Sequence, residues 1–192
     1  MLRSLYDWTM SLAAHPRALW ALAFIAFVES SVFPIPPDAL MIPMIIAAPR
    51  RAFLIAGVAT VSSVLGGMLG YAIGALAYEQ IGQPILSALG KEDAMAAFSE
   101  RFNGVGFWAV LIAGLTPFPY KVITIMSGWT GMPLATFVVT SIIARAGRFF
   151  LVALLLRAFG APIRDFIERR LGLVTIAFVV LLIGGFYATR YL

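Results

Sequence analysis

The feature that most limits how this chain can fold is FPIPPDALMIPM, residues 33–44. It places four prolines and an aspartate inside an apolar stretch that runs from Ala18 to Ala48. Proline removes a backbone donor and clashes with the preceding turn, so Pro34, Pro36, Pro37 and Pro43 cannot all lie within one continuous helix. A second apolar stretch, Val105 to Trp129, is interrupted in the same way by Pro117 and Pro119. The arms on either side of each break are too short to cross a hydrocarbon core of about 30 Å, which takes about 20 helical residues. By contrast, the runs Ala52–Tyr78, Leu134–Leu156 and Leu171–Tyr187 reach or approach that length.

Composition puts these runs in lipid. Hydrophobic residues make up 61% of the chain and charged ones 12%, against about a quarter charged in ordinary soluble domains. The absence of cysteine excludes disulfides, thiolate metal sites and cysteine nucleophiles. With a single histidine, His15, no metal or other cofactor is expected. The net charge of +5 does not indicate nucleic acid, because the arginines border apolar runs instead of forming a solvated basic face. Residues 1–16, which carry Arg3 and Asp7, read as an N-terminal interfacial helix with Leu5, Trp8 and Leu12 on one stripe, not as a cleavable signal.

Each proline-broken pair of arms reads as one re-entrant hairpin, at about 18–48 and about 105–130, each followed by a spanning helix, at about 52–78 and about 133–157. Together these form a transport core over 17–160. Residues 161–192 follow as a basic connector and a C-terminal spanning helix. The fold class is therefore an all-α polytopic membrane protein with two re-entrant hairpins, about three spanning helices and the interfacial helix. The turns share a pattern of P-x-P, one residue, a charge and an apolar pair: Pro34-Ile-Pro36-Pro37-Asp38 against Pro117-Phe-Pro119-Tyr120-Lys121. A single spanning helix separates them, so the repeat is inverted. Backbone broken at membrane depth needs a covering of protein or a watery cavity, so the two turns should be buried together.

On this topology Arg3, Arg17, Arg50, Arg51, Arg157, Arg164, Arg169 and Arg170 share one face, and Lys91, Arg101 and Arg190 the other. The richer face is cytoplasmic by the positive-inside rule, with the N-terminus on that side. Letting all four arms cross fully gives the same split with a different membership, so the count does not by itself establish the hairpins.

Five ionisable residues lie in or beside apolar runs: Glu29, Asp38, Lys121, Arg145 and Arg148. An Arg, Lys or Asp at a helix centre costs about 2.5–3.5 kcal/mol on insertion scales, so the five are expected to face inward. One reading makes them structural ion pairs. The other notes that cations outnumber acids by one, leaving a positive charge to hold an anion. New helices starting near Pro36 or Pro37 and near Pro119 or Tyr120 would aim free N–H groups at the same place. Asp38 can alternatively serve its own helix terminus as a cap. Gly66, Gly70 and Gly74 recur every fourth residue, a helix-packing stripe. Thr116, Thr124 and Ser127 offer hydroxyls, which more often bond their own helix backbone.

In order along the chain, FVESSVF, FPIPPDALM, GYAIG, GLTPFPYKVITIMSGWTGM and a following helix with arginines resemble the DedA family of bacterial inner-membrane proteins, related to the VTT-domain lipid scramblases. The resemblance covers roughly Val28 to Gly160. It implies two facing re-entrant hairpins and movement of phospholipid or polyprenyl-phosphate carriers, in some members linked to proton motive force. Glu29 and Asp38 correspond to the family acids. Many members carry two arginines around the second hairpin's proline, where this chain has Thr116 and Val122. Lys121 is the nearest cation, and the PFPYK version resembles a divergent branch.

The expected function is a flippase or scramblase of an anionic-headgroup lipid in the bacterial inner membrane. Lys121, Arg145, Arg148 and the two helix N-termini would hold the phosphate, and Glu29 or Asp38 would balance charge and take up a proton. The alternative is a proton-coupled ion or small-solute transporter. No enzyme is expected, because G-x-S-x-G, H-E-x-x-H and clustered His or Asp are all missing.

Overall fold

The computed structural model describes residues 17–33, 36–116 and 119–188, with side chains through residue 160. The expected interfacial helix at 1–16, His15, the tip prolines Pro34 and Pro117, the side chains of Arg164, Arg169 and Arg170, and Arg190 lie outside the described residues.

Among the described residues all regular structure is helical. The helices are α1 (Ala18–Ser31), α2 (Asp38–Ala47), α3 (Ala52–Ala77), α4 (Gln83–Ala88), α5 (Glu92–Gly104), α6 (Gly106–Leu115), α7 (Tyr120–Trp129) and α8 (Leu134–Ala188). A 3-10 turn, Pro49–Arg51, leads into α3, and a π-helical turn, Tyr78–Gly82, leads out of it. Two stretches, Pro49–Leu89 and Leu134–Gly160, are long and apolar enough to cross a membrane. The protein is an all-α membrane protein.

The short helices are re-entrant arms. Ala18 and Leu22 at the start of α1 share a buried cluster with Ile45 and Ile46 at the end of α2, Ala52 and Ile55 at the start of α3, and Ala153 and Leu156 of α8. The chain thus enters along α1, turns through the proline segment and returns along α2 to the end where it began. Pro37 occupies the N-cap position of α2, where its missing donor is not needed, while Pro43 lies inside that helix. The second hairpin enters from the other end. Gly106 at the start of α6 faces Met132, just beyond α7, and Val110, Ala113, Tyr120, Met132 and Phe137 form a second buried cluster. From Ala18 to Glu29 and from Gly106 to Thr116 the arms each climb about 15 Å at 1.5 Å per residue, so together they account for a core of about 30 Å.

Helix α3 is the axis on which both hairpins pack. A Cβ at Gly66 would lie 2.0 Å from the Phe27 carbonyl oxygen of α1, and one at Gly74 would lie 2.0 Å from the Ile125 carbonyl oxygen of α7. Gly70, between them, faces Thr124 Oγ1 and the Ser30 carbonyl. In lipid, where apolar surface gives helices no reason to associate, such close backbone approach supplies the packing that holds them together.

The sequence presents 157–170 as a connector, but the structure makes it part of one helix, Leu134–Ala188, with Pro162 inside it. Arginine, glutamate, leucine and alanine all favour helix, and the segment offers no cluster of turn residues to end it. Residues 79–103, which join the two repeats, are also largely helical, as the π turn, α4 and α5.

Candidate functional site

The two arms of the first hairpin deliver acids to the same depth. Glu29 sits in the last turn of α1 and Asp38 is the first residue of α2, so the proline turn between them brings both carboxylates to the tip. Arg145 and Arg148 stand three residues apart on α8, one turn along the same face. Each takes one acid.

Arg145 Nη2 lies 2.5 Å from Glu29 Oε2. The same guanidinium donates through Nε to Ser63 Oγ at 2.5 Å and through Nη2 to Ser30 Oγ at 3.0 Å. Its carbon lies 4.2 Å from the centre of the Tyr120 ring and 5.2 Å from that of Phe149. Tyr120 in turn donates its hydroxyl to Ser141 Oγ at 2.5 Å. Ser30 and Ser63 are themselves 2.6 Å apart, oxygen to oxygen. Arg145 is only 2% exposed. A charge this deep is tolerable because its donors have partners on several elements and two aromatic faces cover the rest.

Arg148 differs. Its Nη2 lies 2.5 Å from Asp38 Oδ2, and the two side chains remain 21% and 19% exposed. Its Nη1 donates to the Thr116 carbonyl at 2.8 Å, in the tip of the second hairpin. One arginine therefore ties the first hairpin tip to the second. The carboxylate of Asp38 goes to Arg148 while standing in the first turn of α2, where a negative charge also suits the helix terminus.

Lys121 lies in the first turn of α7, half-buried, and forms no salt bridge with the described residues. A cation at a helix N-terminus opposes the helix dipole. The N-terminus of α7 has no side-chain cap and no acid in its first turn. That arrangement disfavours the helix by itself but suits an anion placed before it.

The structure thus brings Glu29, Asp38, Arg145, Arg148 and the start of α7 together around the two tips. It does not leave Arg145 accessible to a phosphate, contrary to the expectation for that residue, because Glu29, Ser30, Ser63 and Tyr120 already surround it. Thr124 donates to the Lys121 carbonyl at 2.9 Å and the Ser30 carbonyl at 3.1 Å. Ser127 Oγ is buried without a hydrogen-bond partner among the described residues. Residues the sequence did not single out are Ser30, Ser63, Tyr120 and Ser141. Their only signal is a small polar or phenolic group inside an apolar run, and such groups commonly bond their own helix.

The profile of the VTT domain matches residues 33–158, a stretch that contains both hairpin tips and both arginines. An uncharacterized protein of Haemophilus influenzae is 37% identical over 169 residues, covering 86% of this chain and 88% of that one. An uncharacterized protein of Histophilus somni is 38% identical over 185 residues, covering 94% and 96% respectively. No solved structure matches. Most of the chain, with both proline turns and both arginines inside the matched stretch, agrees with one family, which points to a transporter-like role in the membrane; the chain belongs to the VTT-domain (DedA) family.

Proposed function

We propose that the protein is a flippase or scramblase of the bacterial inner membrane for a lipid with an anionic, phosphate-bearing headgroup, its N-terminus cytoplasmic. The observation that carries this reading is the unequal pairing at the tips: two acids are matched by two arginines, and Lys121 is left beside an uncapped helix N-terminus. The phosphate binds Lys121 and the first-turn N–H groups of α7, with the partly exposed Arg148 beside them. Arg145 holds the scaffold. Asp38 competes with the phosphate for Arg148, the more exposed of the two arginines.

Reconstitution in liposomes with a fluorescent phosphate-headed lipid tests this. Externally added dithionite should bleach nearly all the fluorescence with the wild-type chain, and about half in liposomes without protein or with Lys121→Gln. If the wild type protects half, the lipid reading is lost, and proton-driven uptake of a small solute by the same vesicles becomes the reading to pursue.

A further inference from the structure

A separate cavity of about 460 Å³ lies where the second hairpin meets the end of α3. It is lined by the aromatic residues Tyr71, Tyr78 and Trp129, the carboxylate-bearing Glu79, and Ala96 and Ser99 of α5. Gly74, at this level of α3, is about 16 Å along the helix from Ser63, so the cavity is distinct from the tip site.

Its walls are fixed. The Tyr78 and Trp129 rings meet edge to face, with centroids 5.5 Å apart and planes at 71°. Trp129 is seated against Gly82, where a Cβ would come 2.6 Å from Cζ2. Tyr71 is pinned by its hydroxyl, which donates to the Met132 carbonyl at 2.6 Å. Tyr78 and Glu79 both fall in the π-helical turn Tyr78–Gly82. Such a turn is rare and recurs at functional sites, and its wide i→i+5 path sets successive side chains at a smaller angle than an α-helix does. Here it brings a ring and a carboxylate to one wall. Glu79 is exposed and has no ion pair among the described residues. Tyrosine and tryptophan are common at membrane interfaces, but there they normally face headgroups individually. In this protein three of them line one concave space together with an acid.

We propose that this cavity binds an organic ammonium group. The ring faces carry the negative end of the aromatic quadrupole, and the carboxylate adds a formal charge, a combination that selects a cation over a neutral group of the same shape. The ammonium can arrive on a lipid headgroup or on a water-borne amine. This inference is independent of the tip site and stands whether or not the protein moves an anionic lipid.

The test uses the full chain in phosphatidylglycerol nanodiscs, with Trp8, Trp20 and Trp108 replaced by Phe so that Trp129 alone reports. Choline and its uncharged carbon isostere, dimethylbutanol, are titrated separately, and the mole fraction of an ethanolamine-headgroup lipid is raised in a parallel series. A saturable fluorescence change with choline but not the alcohol, weakened about tenfold by Glu79→Gln, supports a water-borne ligand. A change confined to the amine lipid and reduced in the same way supports a lipid-borne one. Tyr78→Leu, which keeps the carboxylate and removes a ring, should weaken binding about threefold to tenfold in either case. Equal responses to choline and the alcohol, no response to either amine source, or indifference to both substitutions overturns the proposal.

Discussion

The two ion pairs at the hairpin tips have the same chemistry and opposite settings. In Glu29–Arg145 the arginine is closed off: it also bonds two serines and lies against two aromatic rings, with 2% of its surface exposed, while Glu29 keeps 15%. Asp38–Arg148 is open, with about a fifth of each side chain exposed and the arginine's other nitrogen on a hairpin carbonyl. Replacing one partner of a buried pair leaves an uncompensated charge and is strongly destabilising, and the cost falls as the remaining charge gains access to water. Two residues apart in role but one helical turn apart in space can therefore divide the labour, one clamping the inverted repeats and the other remaining free to exchange partners.

That contrast can be broken experimentally. Glu29→Gln should have the largest effect, because it strands the enclosed Arg145 charge; unfolding in detergent should show a loss of about 3–5 kcal/mol. Changing Arg145 to Met in the same chain should recover most of that loss, as removal of both charges avoids the stranded one. A loss under about 1 kcal/mol for Glu29→Gln would erase the distinction between the pairs. Asp38→Asn should cost only about 1 kcal/mol in the same melt, since water and the hairpin carbonyl still serve Arg148. Transport should nevertheless fall about tenfold, because the exchangeable carboxylate is gone.

A smaller effect separates structure from charge within the closed cluster. Tyr120→Phe removes the hydroxyl bonded to Ser141 while leaving the ring under Arg145, so stability should drop by about 1 kcal/mol. Transport rates should follow that stability change and no more. The smallest effect is expected at the open side. Lys121→Arg keeps the positive charge at the α7 terminus, and the lipid bleaching rate should stay within about twofold of wild type, given that charge outweighs fork geometry there. A loss as complete as that of Lys121→Gln would mean that shape at this position matters more than charge.

The described basic residues outside the tip site also divide between the two ends. Arg50, Arg51 and Arg157 gather at the end where the first hairpin enters, with Arg157 lying 4.9 Å over the Phe53 ring. Lys91 and Arg101 border α5 at the other end. The re-entrant arms therefore give the positive-inside count one membership of its two.

How much of this was legible beforehand depends on range. FPIPPD and TPFPYK announced the breaks because proline acts on its immediate neighbours, and the glycine stripe announced close packing because a four-residue repeat lies on one helix face. The pairing of Glu29 with Arg145 was not legible, because it joins residues 116 positions apart. The roles of Ser30, Ser63 and Tyr120 were hidden for the same reason. A serine inside an apolar helix has a local bond available to its own backbone, as Ser30 also has to Ala26, and nothing local reveals a second partner.

Lipid residence, the two broken arms and the surplus of one cation were properties of the sequence by itself, because they depend on composition, on proline's missing donor and on counting charges. Which acid meets which arginine, which arginine is sealed, and that Lys121 has no ion pair among the described residues were decided only by the tertiary structure. The physical reason is that burial and pairing are set by neighbours brought in from distant elements: packing both hairpins on the glycine face of α3 encloses Arg145 and leaves Arg148 at the edge.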